Sequence, residues 1–284
     1  MAASASISLL IVVPTLNSYP LLPRLVASLQ EQTWSHWQLL FIDGPSGSGH
    51  RSWLQDFSSR ESRCHWIEQD PAFPGIFGAM SQGFAFAAPD DWLLFWGSDD
   101  WAASPTVLAE AVDRLMTSGA SASASCPFGF PDLMIYQGRY VSTSQRLGRR
   151  AAFVQTDRRQ PLHRMNAGSF RRALLLGSTP PHQATWFGPG ARCRLDRYAP
   201  DFRLAGDLDY FLKLSEIKPH QLRELVVVCD DLELVHMSEG GVSGQQTQRR
   251  LMEVRRAYEH ALGPWWWIPF LMRYIRRLTS LFFS

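Results

Sequence analysis

The chain has 284 residues, 45% hydrophobic and 19% charged, which excludes a disordered polypeptide and gives enough length to bury a sizeable core. A formal charge of +2 offers no electrostatic case for a nucleic-acid partner, and Lys213 and Lys218 are the only lysines beside many arginines. The cysteines, Cys64, Cys126, Cys193 and Cys229, lack metal-ligand spacing and read as reduced, mostly buried thiols.

Ile7 to Val13 (ISLLIVV) is apolar throughout and partly β-branched, which predicts a central buried strand. No basic residue precedes it and Pro14 and Asn17 follow at once, so a signal peptide is not expected. Leu21, Leu22, Leu25, Val26 and Leu29 recur at helical spacing. Trp37 to Asp43 reads as a second strand, Gly44 to Gly49 as a flexible turn, Ser52 to Phe57 as a helix and Cys64 to Glu68 as a third strand. Gly75 to Ala87 has helical spacing through Ile76, Met80 and Phe84.

Trp92 to Trp96 is a short apolar run closed by Gly97-Ser98-Asp99-Asp100, which predicts a buried strand delivering two carboxylates to its carboxyl end. With no basic neighbour in sequence the carboxylates repel, and a Mg²⁺ or Mn²⁺ ion bridging them to a diphosphate relieves that repulsion. The alternative is a helix cap or solvated turn before the helix carrying Val107, Leu108, Ala111, Val112 and Leu115. Strands alternating with helices at this pitch imply right-handed crossovers and a parallel sheet. The first strand is followed by neither G-x-G-x-x-G nor a phosphate-loop lysine, which counts against a dinucleotide oxidoreductase and an NTPase.

Beyond Ser118 the texture changes. Ser121 to Ser125 is a small-residue stretch, and Leu133 to Val141, Ala151 to Gln155 and Leu225 to Val228 predict strands in an irregular, mixed part of the same sheet. Leu251, Val254, Tyr258 and Leu262 mark an amphipathic helix before Gly263-Pro264. The tail then runs Trp265-Trp266-Trp267-Ile268-Pro269-Phe270-Leu271-Met272, with Arg273, Arg276 and Arg277 predicted on one helical face. Adjacent tryptophans suit a membrane interface and arginines suit anionic head groups, while three central arginines make a spanning helix costly. The alternatives are a tail folded back on the domain and a dimer contact.

Seven stretches in order resemble family 2 glycosyltransferases of the glycosyltransferase A fold, closest to bacterial enzymes of polysaccharide and lipid-linked glycan synthesis. They are VVPTLN, FIDGPSGSG, GIFGAMSQG, GSDD, HQATWF, FRLAGDLDYFLKL and GGVSG, between residues 7 and 244. The resemblance implies a Rossmann-like, mostly parallel central sheet flanked by helices: a catalytic domain over 1–244, with a nucleotide-sugar half to about 118, and a helical tail over 245–284. It implies an inverting, metal-dependent hexosyl transfer from a nucleotide-diphosphate sugar, first of all a UDP-sugar, to a glycan or lipid-diphosphate-linked hydroxyl. The tail, read as an in-plane helix, places the chain in the cytoplasm, peripheral on the inner face of the plasma membrane.

Residue by residue, the resemblance implies that Pro14, Thr15, Asn17, Asp43, Gly75, Ser98 and Asp99 hold the nucleotide sugar, with Asp43 on the base's N–H. Asp99 and Asp100, joined by His236, are implied for Mn²⁺ or Mg²⁺. His182 and Gln183 precede an apolar run, and the histidine contacts diphosphate or acceptor or else is structural. Asp207 matches the catalytic base, because a sugar hydroxyl attacks only as its proton is taken. Asp209 is either the base instead or its orienting partner, and both aspartates also suit a first helical turn electrostatically. The loop Gly240 to Ser243 offers free N–H groups to a diphosphate. Departures from the family fall at Gly97, Pro74, Gly78, Ser81 and Gly206, where relatives often carry acidic, lysine or asparagine side chains. They leave the donor sugar open and leave room for a non-catalytic glycan- or membrane-binding relative; a sugar nucleotidyltransferase, the remaining reading, would need a basic, glycine-rich loop where PTLNSYP stands.

Overall fold

The computed structural model describes residues 7–120, 130–153, 162–216, 224–239 and 246–282. Its first half alternates β1 (Leu9–Thr15), α1 (Leu22–Gln30), β2 (Trp37–Asp43), α2 (Ser48–Arg60), β3 (Cys64–Glu68), α3 (Ile76–Phe86) and β4 (Trp92–Phe95). A short β5 (Asp100–Ala102) and α4 (Val107–Ala120) follow. β1 pairs in parallel with both β2 and β4, and β2 pairs in parallel with β3. The apolar run of β1 is continuous because both faces of the sheet are covered. Leu10 and Val12 join the core under α3, while Leu9, Ile11 and Val13 join the core under α1 and α4.

The second half contains β6 (Leu133–Val141), β7 (Leu147–Ala151), β8 (His163–Asn166), α5 (Ala167–Leu175), β9 (Thr185–Phe187), α6 (Pro189–Arg194), α7 (Gly206–Leu214) and β10 (Glu224–Ser238). The ten-stranded sheet runs β3-β2-β1-β4-β9-β6-β10-β5, with β7 added to β6 and β8 to β10. β9 lies antiparallel to both β4 and β6, so the sheet is parallel only as far as β4 and mixed beyond it. Of the strand expected over Ala151 to Gln155, Ala151 ends β7, Ala152 and Phe153 are not in a strand, and Val154 and Gln155 lie outside the described residues. The stretch Ser121 to Ser125 lies outside the described residues.

Two helices close the chain, α8 (Thr247–Leu262) and α9 (Trp267–Phe282). α8 buries Val254, Ala257 and Tyr258 in the core shared with α7. α9 packs on α8 and α5. Its Arg273 points inward and donates to Thr179 Oγ1 at 2.6 Å. This corrects the expectation of an arginine face. Arg273 is only 6% exposed, and the outward stripe is Trp267, Ile268, Leu271, Met272 and Ile275, spaced as neighbours on a helix surface. The Arg277 side chain lies outside the described residues. Among the described residues, no helix is long and apolar enough to cross a membrane.

Candidate active site

β1 lies between β2 and β4, so the chain turns one way out of β1 and returns on its other side. Such a switch point opens a crevice beyond the carboxyl ends of the strands, the ligand edge of α/β sheets. Thr15 ends β1 and Asp43 ends β2 in register with it. Thr15 Oγ1 donates to Asp43 Oδ1 at 3.0 Å, and Ser46 Oγ donates to the same oxygen at 2.6 Å. His50 Nε2 stands 3.0 Å from Asp43 Oδ1 and Arg51 Nε 3.5 Å from Oδ2, yet neither is aligned as a hydrogen bond. Asp43 Oδ2 is therefore a buried acceptor without a hydrogen-bond partner. Burial lowers the His50 pKa against the opposing pull of Asp43.

Three clasps hold neighbouring turns to this edge. Ser98 Oγ lies 2.8 Å from Ser18 Oγ and donates to the Pro14 carbonyl at 3.2 Å, fixing the turn after β4 to the end of β1. Asn17 adopts φ 51° and accepts from Gly47 N–H at 2.8 Å, tying the same strand end to the start of α2. Trp96 Nε1 donates to the Gln183 carbonyl at 3.0 Å, which brings the His182–Ala184 turn against β4. Gly75 sits at φ 83° before α3, with the Arg203 side chain where a Cβ would stand.

Asp100 is 3% exposed and its Oδ2 accepts from Gly97 N–H at 2.6 Å. A Cβ on Gly97 would lie 2.9 Å from Asp99 Oδ1 and 3.3 Å from Asp100 Oδ2, so the two carboxylates converge on one small cradle. Burial raises both pKa values, and the charge of Asp99 raises that of Asp100 further. Two carboxylates that resist ionising together fit one hard cation as part of its ligand shell.

His236 does not complete this pair. It faces Trp101 across β10 and β5, at a ring separation of 5.7 Å, and meets Glu233 Oε1 at 2.8 Å. Asp100 neighbours Trp101 on β5, so its side chain leaves by the opposite face. Among the described residues no three His, Cys, Asp or Glu side chains are gathered as a metal site. In this structure the His236 ring is turned to Trp101 and Glu233 rather than to Asp99 and Asp100. The loop Gly240 to Ser243 lies outside the described residues.

Asp207 and Asp209 open α7, but the helix turns them apart. Asp209 is 1% exposed, with Lys213 Nζ at 2.6 Å from Oδ2 and His260 Nδ1 at 3.3 Å from Oδ1. Through His260 it ties α7 to α8. Asp207 is half-buried, accepts from Leu208 N–H at 2.8 Å, and raises the pKa of both His182 and Tyr198 through its charge.

His182 is buried, stacked on Phe95 at 5.5 Å, with Nε2 2.7 Å from Tyr198 Oη. Burial lowers its pKa to about 4, with Asp207 acting in the opposite sense. Of the readings left open for His182, a buried ring bonded to Tyr198 favours the structural one over a contact with diphosphate or acceptor.

Sequence reasoning missed Glu253. This α8 carboxylate is 4% exposed, and its Oε2 accepts from the N–H groups of Arg203, Leu204 and Ala205 at 2.9, 2.6 and 3.0 Å. It holds the segment that leads into Asp207. The signal was present: Glu253 shares the buried face of α8 with Val254 and Ala257, where a charge needs partners.

A family model, "Glycosyl transferase family 2", matches residues 10–174. The chain belongs to glycosyl transferase family 2. An uncharacterized glycosyltransferase of Mycobacterium tuberculosis is 26% identical over 262 residues, covering 91% of this chain and 87% of that protein. A PGL/p-HBAD biosynthesis glycosyltransferase of Mycobacterium bovis is 32% identical over 90 residues, 32% of this chain and 34% of its own length. Among solved structures, S. aureus TarS 1–349 with UDP-GlcNAc aligns at a TM-score of 0.65 and 14% identity, over 90% of this chain and 67% of that one. The same fragment without ligand is covered to 66%. The mannosyltransferase PcManGT of Pyrobaculum calidifontis, with GDP-Man and Mn²⁺, aligns at 0.57 and 14% identity, over 95% of this chain and 70% of that one. These likenesses establish the glycosyltransferase A fold. The matched segment stops before Asp207 and Glu253, so the family assignment stands on the β1–β4 half and the stretch just beyond it.

Proposed function

We propose that this family 2 glycosyltransferase moves a sugar, with inversion, from a nucleoside-diphosphate sugar to a hydroxyl of a glycan or lipid-diphosphate-linked acceptor. The observation that carries this reading is the convergence of Asp99 and Asp100 on Gly97 at the switch-point edge. Asp43, whose Oδ2 has Arg51 beside it but no hydrogen bond, accepts the N–H of the donor's base, and Thr15 and Ser46 hold that carboxylate in place. Asp207 takes the proton from the acceptor hydroxyl as its oxygen bonds to the anomeric carbon, and the bond from that carbon to the diphosphate oxygen breaks. Asp99 and Asp100 are the residues that would hold Mg²⁺ or Mn²⁺, which when bound offsets the charge on the departing nucleoside diphosphate. UDP-GlcNAc in TarS and GDP-Man in PcManGT support a nucleotide sugar as donor, with a UDP-sugar the first to try.

The exposed apolar stripe on α9, with exposed Arg276 beside it, supports peripheral attachment to an anionic membrane on its cytoplasmic face, where a lipid-linked acceptor is in reach. Co-sedimentation with anionic vesicles tests it: Leu271→Ser with Ile275→Ser should leave the protein in the supernatant. Unchanged pelleting would refute the attachment.

A thermal-shift panel of UDP-, GDP- and dTDP-sugars with and without Mn²⁺ tests the donor site. One nucleotide should stabilise by about 2.7 kcal/mol at a hundredfold excess over its Kd, and only with metal. No metal-dependent response to any nucleotide would remove the reading.

A further inference from the structure

A cavity of about 200 Å³ opens between α3 and the segment after α6, walled by Phe73, Pro74, Phe77, Tyr198 and Pro200, with Arg197 at its rim. It is smaller than the pocket of a drug-sized ligand and suits a single ring. It lies beside the proposed base. Phe77 packs on Gly206, the residue before Asp207, closely enough that a Cβ there would come within 2.8 Å of its ring. Tyr198, 5.1 Å from Phe77 between ring centres, feels the charge of Asp207. A Cβ on Gly78 would strike the Phe73 carbonyl, so the floor is bare backbone at this point.

The polar groups of the wall are already committed. Ser81 Oγ donates to the Phe77 carbonyl at 2.7 Å and accepts from Tyr198 N–H at 3.0 Å. Tyr198 Oη is bonded to His182. Arg197 keeps free N–H groups beyond its pair with Asp196, but it stands at the rim with a side chain 66% exposed. A ring hydroxyl pressed into this wall would lose water and gain no side-chain partner, whereas a methyl group or bare ring face would gain aromatic contact.

We propose that the cavity is a specificity subsite for a sugar ring that presents an apolar edge, a deoxy or O-methylated sugar, with its remaining hydroxyls turned to Arg197. The proposal rests on the transferase reading and deepens it. The ring belongs either to the donor or to the acceptor, and the test separates the two.

In one arm kcat/KM is measured for a 6-deoxyhexose nucleotide and its parent hexose nucleotide with one acceptor. In the other arm the donor is fixed and the acceptor is a glycoside or its deoxy or methyl-ether counterpart. One arm should favour the less polar ring by about ten- to a hundredfold, the range an apolar pocket can supply. Phe73→Gln, at a position 41% exposed and so tolerant of change, should bring that ratio to within about threefold while nucleoside-diphosphate affinity by calorimetry is unchanged. A ratio within about threefold in both arms, or a preference that survives Phe73→Gln, overturns the subsite. Ligand-observed NMR with methyl 6-deoxyhexoside and methyl hexoside reads the same preference without turnover. Selective binding there with no nucleotide binding would sink the transferase reading and keep the subsite, and nucleotide binding with equal glycoside signals would do the reverse.

Discussion

The two halves of the sheet are held together by different means. In the half from β1 to β4, helices cover both faces with apolar side chains, and the buried polar groups Thr15, Asp43, His50 and Asp100 collect at or just beyond the carboxyl ends of the strands. Beyond β9, buried charges join element to element: Asp209 to His260, Glu253 to the backbone before α7, and Arg273 to Thr179. A parallel sheet positions ligand groups at one edge by topology alone, whereas a mixed sheet with appended helices needs specific polar ties to bring a catalytic loop to that edge. The cluster at the carboxyl ends thus follows from strand order, whereas the segment before Asp207 is held by a helix near the end of the chain.

Asp207→Asn is the largest expected break. It should lower kcat by about a hundred- to ten-thousandfold with nucleotide affinity unchanged, read by steady-state kinetics beside calorimetry. Weakened nucleotide binding would instead assign Asp207 to the donor half. Next comes Glu253→Ala, which leaves three N–H groups without their acceptor and should cost about 3 to 5 kcal/mol in urea unfolding. Glu253→Gln keeps an acceptor oxygen and should recover most of that stability together with kcat. If Glu253→Ala costs no more than a surface substitution, the contrast between the halves fails.

His182 gives a pH-dependent version of the same test. Its imidazole is held at about 4 in the fold against an ordinary 6.5, so the unfolded chain protonates first. The contribution is complete above pH 6.5 and drains away as pH falls toward 4, by up to about 3 kcal/mol. His182→Phe should flatten that slope in unfolding free energies measured at pH 7 and pH 5. The smallest effect is expected in the donor half. Burial penalises the charged form of Asp100, and that penalty is present at neutral pH, above the ordinary carboxylate range. Asp100→Asn should therefore raise the metal-free melting temperature by about 2 to 4 °C and abolish any shift with Mn²⁺. A fall in melting temperature would mean that the carboxylate is needed for the turn at Gly97.

The elements of the first half were legible because their signals are local. An apolar run closed by Pro14, Gly44 or Gly97 marks a strand whatever lies around it, and β1, β2, β3 and β4 stand within two residues of their expected bounds. The second half was read coarsely: β8, α5, α6 and the long course of β10 carry short or mixed patterns that acquire meaning only against their neighbours.

The sequence by itself determined the parallel half of the sheet and the ends at which Thr15, Asp43, Asp99 and Asp100 stand, since hydrophobic period and strand order suffice to place them. Which carboxylate of α7 stays free, where His236 and Arg273 turn, and what holds the segment before Asp207 were decided only by tertiary structure. Helical phase and the i, i+4 pair of Asp209 with Lys213 are local, but the contacts that tie one element to another lie 51 residues away for Asp209 and 48 to 50 for Glu253. No local pattern encodes a contact at that separation.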